Sequence, residues 1–144
     1  MEQVWEILRQ KGSEVWSIAP QATVFEALEK MAEKEIGALL VTDGGKLVGI
    51  ISERDYARKV VLKGKTSKEA TVQELMSSNV VYVRPDQPLE EAMVLMSEKH
   101  IRHLPVIDND KLVGMISIGD VVKAIISDKD FHIKQLENYI YGRS

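Results

Sequence analysis

Two serine–aspartate pairs are the residues of this sequence best suited to chemistry. Ser52 stands three residues before Asp55, and Ser117 stands three residues before Asp120. Each pair follows an apolar run, which predicts a strand that ends where a helix begins. At such a junction a serine hydroxyl can join free backbone amides in holding a phosphate, and a carboxylate can accept both hydroxyls of a ribose. The two pairs therefore indicate nucleotide binding.

A structural role accounts for the same residues. A serine at a helix N-cap accepts a hydrogen bond from the amide three residues on, and an acidic side chain there can reciprocate. For a single copy this cap is the more common role of Ser-x-x-Asp. Capping does not explain why the residues before and around each pair also repeat, so both interpretations stay open.

The two pairs belong to a long internal repeat. Residues 47–55 read LVGIISERD, and residues 112–120 read LVGMISIGD, 65 positions later. The register holds without a gap over residues 15–55 and 80–120. A repeat of this length is a whole supersecondary unit rather than a short solenoid period. Two copies predict a pseudo-two-fold protein in which a site built by one copy occurs twice.

Each copy is predicted to begin with a short strand and a helix. The strand at 15–18 ends before Pro20, because the residue preceding a proline avoids helical angles. Thr23 and Glu26 then have the spacing of a capping box. Apolar residues at helical spacing follow, and the second copy keeps this stripe.

Each copy is then predicted to continue as a hairpin and a second helix. Apolar runs at 36–41 and 101–107 suit buried strands. The sequences DGGK (43–46) and DNDK (108–111) are typical of tight hairpin turns. The strand after each turn leads to the serine at which a helix starts.

Short segments extend the repeat at both ends. Residues 72–76 echo residues 4–8 with an offset of 68, so each copy includes a lead-in helix. The predicted domains are a first repeat at 4–63, a polar linker at 64–71, a second repeat at 72–127 and a C-terminal helix at 128–144, where Ile133, Leu136 and Ile140 have helical spacing.

Basic residues near the pairs are candidates for phosphate binding. Arg102 and His103 come directly before a buried strand, and Arg54 and Arg58 lie on the helix that follows Ser52. Arginine suits phosphate because its planar guanidinium makes paired hydrogen bonds. The alternative to phosphate binding is that each of these residues simply lies on a charged face exposed to solvent.

The composition indicates a soluble globular protein. The chain has 144 residues, of which 44% are hydrophobic and 28% charged, and its net charge of -3 gives no general attraction to nucleic acid. No apolar run approaches the ~20 residues of a membrane span, and the first residues do not resemble a signal peptide. The 3 histidines lack a neighbouring ligand cluster, so we expect no metal site, and the absence of cysteine fits a cytoplasmic location.

The duplicated motifs resemble a tandem pair of CBS domains, the cystathionine-β-synthase-type repeats that form a Bateman module. The resemblance rests on the paired Gly-φ-Ile-Ser-x-x-Asp motifs, on the segment RHLPVID at 102–108 and on a proline ahead of each helix. It covers about residues 4–127. It implies an α/β fold of two βαββα repeats, with sheets packed face to face about a pseudo-two-fold axis and with short N-terminal and C-terminal helices.

The resemblance also implies a regulatory role rather than an enzyme. CBS pairs bind adenosine-containing effectors (AMP, ADP, ATP, NAD(H) or S-adenosylmethionine) in two clefts between the copies, with no obligatory cofactor. It assigns ribose to Asp55 and Asp120, and phosphate to Ser52 and Ser117. The other candidate contacts are the backbone near Ser78 and Val80 for adenine, Pro105 as an apolar wall, Arg102 and His103 for phosphate, and Arg54, Arg58 and Ile118 beside the two serines.

The copies differ where the ligand would lie. Arg102 and His103 of the second copy align with Gly37 and Ala38 of the first, and the acidic Glu53 aligns with Ile118. We therefore predict that one cleft binds a nucleotide well and the other weakly or differently.

The sequence is compatible with three functions. The first is an adenine-nucleotide sensor that signals to an unidentified partner protein; the others are a ligand-free dimerisation scaffold and a nucleotide-consuming enzyme. We expect no nucleic-acid or membrane partner. A homodimer is also expected, paired through helix faces that carry Tyr56 with Val60 and Val121 with Ile125, unless those faces pack into their own core.

Overall fold

The computed structural model describes residues 2–141, and this part of the chain forms two compact units. One unit is Val15–Val81, and the other contains the described residues before Val15 and after Val81. Each unit holds its own β-sheet with helices packed on it. The α/β class predicted from the sequence is confirmed.

The first unit contains a three-stranded sheet. Its elements are β1 (Ser17–Ile18), α2 (Val24–Lys34), β2 (Ala38–Asp43), β3 (Lys46–Ser52), α3 (Glu53–Asp55), which continues as a π-helical segment (Tyr56–Val61), and α4 (Val72–Leu75). The strand order is β1-β2-β3, with β1 parallel and β3 antiparallel to β2.

The second unit contains a two-stranded sheet. Its elements are α1 (Val4–Lys11), α5 (Leu89–Lys99), β4 (His103–Asp108), β5 (Lys111–Ser117) and α6 (Ile118–Tyr141). The equivalent of β1 shrinks to a single parallel bridge between Val83 and Val106. The predicted βαββα order is therefore complete in the first copy, and its first strand is reduced to this bridge in the second.

The hairpin turns form as their residue types predict. Gly44 and Gly45 have positive φ angles of 59° and 82°, and Asn109 and Asp110 have 49° and 64°. Two consecutive positive φ angles give the primed turn that matches the right-handed twist of paired strands. Glycine, asparagine and aspartate adopt this conformation at the lowest steric cost.

The predicted cap of α2 is also present, but the C-terminal helix differs from the prediction. Thr23 Oγ1 accepts a hydrogen bond from the Glu26 amide at 3.1 Å. In contrast, α6 runs without interruption from Ile118 to Tyr141, so no separate helix begins at residue 128. Residues 142–144 of the predicted helix lie outside the described residues.

The lead-in segments hydrogen-bond to the opposite copy. In one unit the Val4 amide donates to the Gln87 carbonyl at 2.9 Å, and in the other the Val72 amide donates to the Ala22 carbonyl at 2.8 Å. The carbonyls of Pro85 and Pro20 accept the next amide of each lead-in at 3.0 and 2.9 Å. Helix α1 therefore packs with the second copy and α4 with the first.

This packing explains the glycine of each repeated motif. A Cβ atom on Gly49 would lie 2.5 Å from Met76 Sδ, which follows α4, and one on Gly114 would lie 2.6 Å from Leu8 Cδ2 of α1. The lead-in segment crosses its strand too closely for any side chain at that position.

The helix faces expected to pair in a homodimer contribute in part to the cores. Val60 is 1% exposed and Val121 is fully buried, each inside its own unit, whereas Tyr56 and Ile125 are partly buried. Val60 and Val121 therefore cover the sheets of their own units, and the pairing of these faces in a homodimer stays a prediction. Within residues 2–141 the structure contains no helix that is both long and apolar enough to span a membrane.

Candidate functional site

The second copy places Ser117 and Asp120 at the junction of β5 and α6. The Ser117 amide donates to Asp120 Oδ2 at 2.9 Å, and the Asp120 amide donates to Ser117 Oγ at 3.1 Å. These bonds form both halves of a capping box. The structural role foreseen for the pair is therefore real, and any ligand would bind to groups that are already fixed in place.

Lys11 of α1 reaches the same carboxylate. Its ammonium lies 2.8 Å from Asp120 Oδ2 and also donates to the Met115 carbonyl at 3.1 Å. Both side chains are partly exposed, so this ion pair contributes ~1 kcal/mol or less to stability. Its larger effect is to place a positive charge beside Asp120, the residue predicted to bind the ribose.

Two pKa values in this site are displaced. Burial would raise the pKa of Asp120, but hydrogen bonds from Lys11 and from the Ser117 amide outweigh it and hold that pKa below its ordinary value. Burial lowers the pKa of His103, and the charges of Lys11 and Arg102 lower it further against the opposing effect of Asp120. His103, one of the basic candidates for phosphate binding, is therefore a neutral hydrogen-bonding group near pH 7.

The first copy repeats the junction with a different arrangement. Asp55 Oδ2 lies 3.0 Å from both the amide and the hydroxyl oxygen of Ser52. The ammonium of Lys59 lies 3.5 Å from Asp55 Oδ1 and also donates to the Leu75 carbonyl. In this copy each carboxylate oxygen of the aspartate faces a protein donor.

The two junctions therefore differ in the groups that remain for a ligand. Asp120 Oδ1 accepts no hydrogen bond from residues 2–141. The Ser117 hydroxyl accepts from the Asp120 amide, and its side chain also helps to lower the pKa of Asp120. At the first junction the Ser52 hydroxyl is directed to Asp55. The second junction thus offers a carboxylate oxygen as the acceptor for a ribose hydroxyl.

The remaining predicted residues lie in the same two units. Beside the second junction, the Arg102 carbonyl accepts from the Ile118 amide at 2.8 Å, and His103 pairs with Ser117 across the hairpin. Pro105 is buried in β4. In the other unit Arg54 and Val80 are half-buried and Arg58 and Ser78 are exposed, with Ser78 next to the Ser77–Ile50 bridge.

Sequence reasoning missed both lysines. Lys59 stands four residues after Asp55, a spacing that brings opposite charges together on a helix, so this signal was available. Lys11 lies 109 positions from Asp120. Its contribution depends on the exchange of lead-in helices, which no local pattern indicates.

A separate surface groove carries the wrong charge for a nucleotide. It runs along α5 and is lined by Gln87, Glu90, Glu91, Val94, Leu95 and Glu98. Three carboxylates repel phosphate. No group of three or more metal-ligating side chains occurs in the part of the chain that the structure describes.

The comparisons with known proteins agree with the repeat and the fold. The family model described as "CBS domain" matches residues 2–62 and 72–127, which make up most of the chain. The chain belongs to the CBS domain family. Among curated CBS proteins, the mitochondrial CBS domain-containing protein CBSX3 of Arabidopsis thaliana is 38% identical over 136 residues. That match covers 91% of this chain but 66% of the relative, which is just under two thirds of its length.

Solved CBS structures superpose closely on the chain. A putative signal-transduction protein with CBS domains from Burkholderia ambifaria MC40-6 is 49% identical, with a TM-score of 0.86 over 88% of this chain and 96% of that one. The CBS domain pair of protein MJ0100, in complex with 5′-methylthioadenosine and S-adenosyl-L-methionine, is 26% identical, with a TM-score of 0.77 over 89% and 98% of the two chains. At least one similar CBS pair thus binds adenosine-containing ligands.

Proposed function

We propose that the chain is a regulatory CBS pair that binds an adenosine-containing effector. The observation that carries the proposal is the Ser117–Asp120 junction, where the carboxylate is fixed through Oδ2 and its Oδ1 is uncommitted. The adenosine ligands of the similar MJ0100 pair support this ligand class. The ligand candidates remain AMP, ADP, ATP, NAD(H) and S-adenosylmethionine, since all share the ribose and the adenine.

The second junction is proposed as the stronger site. Lys11, Arg102 and a neutral His103 lie near it, and Lys11 offsets the charge of Asp120, so an anionic effector meets a net positive charge from Arg102. The first junction has Lys59 and the half-buried Arg54, but also the exposed carboxylate of Glu53. Because a like charge beside a phosphate is unfavourable, we expect weaker or different binding there.

The test is ligand-dependent thermal unfolding of purified protein. A bound adenosine ligand at about 100 times its dissociation constant stabilises the native state by about 2.7 kcal/mol, which raises Tm by about 5–10 °C for a chain of this size. We expect Asp120→Ala to remove most of this shift and Asp55→Ala to reduce it by a smaller amount. Guanosine nucleotides serve as the ligand control.

A matched variant separates lost binding from lost capping. Thr23→Ala also removes an N-cap and should cost about 1 kcal/mol, but Thr23 lies outside both junctions. It should unfold at a lower temperature and keep the full ligand-induced shift. An equal loss of the shift in Thr23→Ala and Asp120→Ala would contradict the assignment of Asp120.

The complete capping boxes favour one second candidate, a ligand-free dimerisation scaffold. In both copies the serine and aspartate satisfy each other. A flat thermal response to the whole adenosine panel would support the scaffold over the sensor. In either case we expect no turnover of ATP or NAD, a point that product analysis by chromatography would check.

The proposal includes a homodimer and an unidentified protein that reads the bound state. Closed two-fold dimers are the most common assembly of soluble chains. The ligand can signal only if it binds two arrangements of the protein with different affinity. Cross-linking in cells with and without the identified ligand would find the partner, and would also test the predicted cytoplasmic location.

A further inference from the structure

The C-terminal half of α6 is exposed to solvent. Val121 near the start of the helix is buried, whereas residues 129–137 are all exposed. A helix segment that is exposed on every side gains nothing from tertiary packing, and short isolated helices are marginal in water. This segment therefore gains stability if a partner covers it.

The exposed segment carries an apolar stripe with a heptad spacing. The stripe consists of Val122, Ile126, Lys129, Ile133, Leu136 and Ile140, at alternating steps of four and three residues. The three isoleucines and the leucine in it are between 54% and 70% exposed. Steps of four and three give the narrow a/d seam of paired helices, whereas a helix that covers a core has a wider stripe.

We propose that this outer stripe of α6 pairs in an antiparallel manner with the outer stripe of a second copy of the chain. The periodic seam makes a second identical helix the fitting partner, since each a and d side chain fills a hole in a helix of the same spacing. The pairing depends on the homodimer proposed above and names the surface that forms it. Ligand binding at Asp120 does not depend on it.

Charges select the antiparallel direction. A parallel, in-register pair would place Lys129 against Lys129 of the second copy, which is unfavourable. The antiparallel pair places Lys129 against Ile133, Ile126 against Leu136, and Val122 against Ile140 of the second copy. Lys123 and Glu137 flank the stripe and come near each other across this pair, twice by symmetry. Asp130 comes near Asp130 of the second copy at the two-fold axis, and the adjacent Lys129 supplies the counter-charge.

Disulfide trapping tests the direction, because the chain has no cysteine of its own. An Ile126→Cys chain mixed with a Leu136→Cys chain should form a mixed disulfide dimer under mild oxidation. Ile133→Cys alone should give little dimer in the same conditions. Efficient cross-linking of Ile133→Cys with none between the mixed chains would overturn the antiparallel arrangement.

Sedimentation velocity over a concentration series tests the surface itself. Ile133→Asp should weaken self-association at least severalfold, and Lys129→Leu should strengthen it. Phe131→Asp is the matched control, because Phe131 is 59% exposed on the same segment but lies off the stripe. All three positions are exposed, so each variant should keep a cooperative thermal unfolding transition, which shows that its core is intact.

The possible outcomes distinguish a failure of the proposed helix pairing from a failure of the proposed regulatory function. A monomer at every concentration would overturn both the homodimer and the stripe. A dimer that Ile133→Asp leaves intact would keep the homodimer and overturn the stripe. The ligand-induced shift in Tm is expected in Ile133→Asp whichever of these results is found.

Discussion

At the scale of single residues, Asp120 combines a structural and a recognition role in one carboxylate. Its Oδ2 accepts from the Ser117 amide and from Lys11, which fixes the side chain and neutralises its charge. Its Oδ1 stays available among the described residues. A carboxylate with about four lone-pair directions can serve both roles at once. The choice between a cap and a ligand site is therefore not exclusive.

His103 gives the protein a pH dependence. Burial, with help from Lys11 and Arg102, lowers its folded-state pKa below the ordinary 6.5. The unfolded chain therefore binds more protons than the folded chain as the pH falls through about 6.5 and below, so stability falls with it. We expect the free energy of unfolding to drop between about pH 7.5 and pH 5.5, as read by urea titration, and His103→Gln to lose most of that drop.

The control for this prediction is His100→Asn. His100 ends α5 in a left-handed conformation, which asparagine tolerates. This variant should keep the slope of the unmodified chain. The pKa of Asp120, lowered from 3.8, affects stability only in more acidic solution, where the contribution of its ion pair is lost. A His103→Gln slope equal to that of the unmodified chain would show that His103 is not the group responsible.

At the scale of elements, the lead-in segments lie closely against the strands of the repeated motif. Gly49 faces Met76 and the Ser77 carbonyl, the latter at 3.0 Å from a would-be Cβ, whereas the three atoms nearest to a would-be Cβ on Gly114 all belong to the flexible side chain of Leu8. A backbone atom cannot yield as a leucine methyl can. Gly49→Ala should therefore destabilise the protein more than Gly114→Ala, with both costing about 1–3 kcal/mol in chemical denaturation.

Gly119→Ala provides the comparison for these two variants. Gly119 lies in the first turn of α6, and the nearest atom to its would-be Cβ is Ser117 Oγ at 3.7 Å. Alanine has the higher helix propensity, so this variant should be neutral or more stable by up to about 1 kcal/mol. Equal costs for all three glycines would contradict the close crossing of the lead-in segments.

Local chemistry made the hairpins and caps predictable from sequence. Gly44, Gly45, Asn109 and Asp110 adopt the turn because of their own conformational preferences, and Thr23 caps its helix through an amide three residues away. Lys11 was not predictable, because its place beside Asp120 depends on tertiary packing. The continuity of α6 was missed although a local signal indicated it, since residues 127–131 contain neither glycine nor proline to end the helix.

At the scale of the whole chain, the sequence repeats and the compact units do not coincide. The family model matches 2–62 and 72–127, whereas one compact unit is the continuous stretch Val15–Val81. The difference comes from the lead-in segments, each of which completes the copy that it does not precede. Val72 and Leu75 of α4 are buried in the core of the first copy's sheet.

The exchange of lead-in segments between the copies predicts which fragment of the chain folds by itself. A fragment of residues 15–81 keeps α4 and the whole apolar cluster, so it should show dispersed amide resonances and a cooperative, if shallow, urea transition, as expected of so small a domain. A fragment of residues 1–63 follows the sequence repeat but lacks Ala70, Val72 and Leu75, all at most 3% exposed in the intact chain. Losing two large core side chains costs several kcal/mol, comparable with the whole stability of such a unit. The 1–63 fragment should therefore stay largely unfolded, and equal folding of the two fragments would mean that α4 is not needed to complete the core of the first copy.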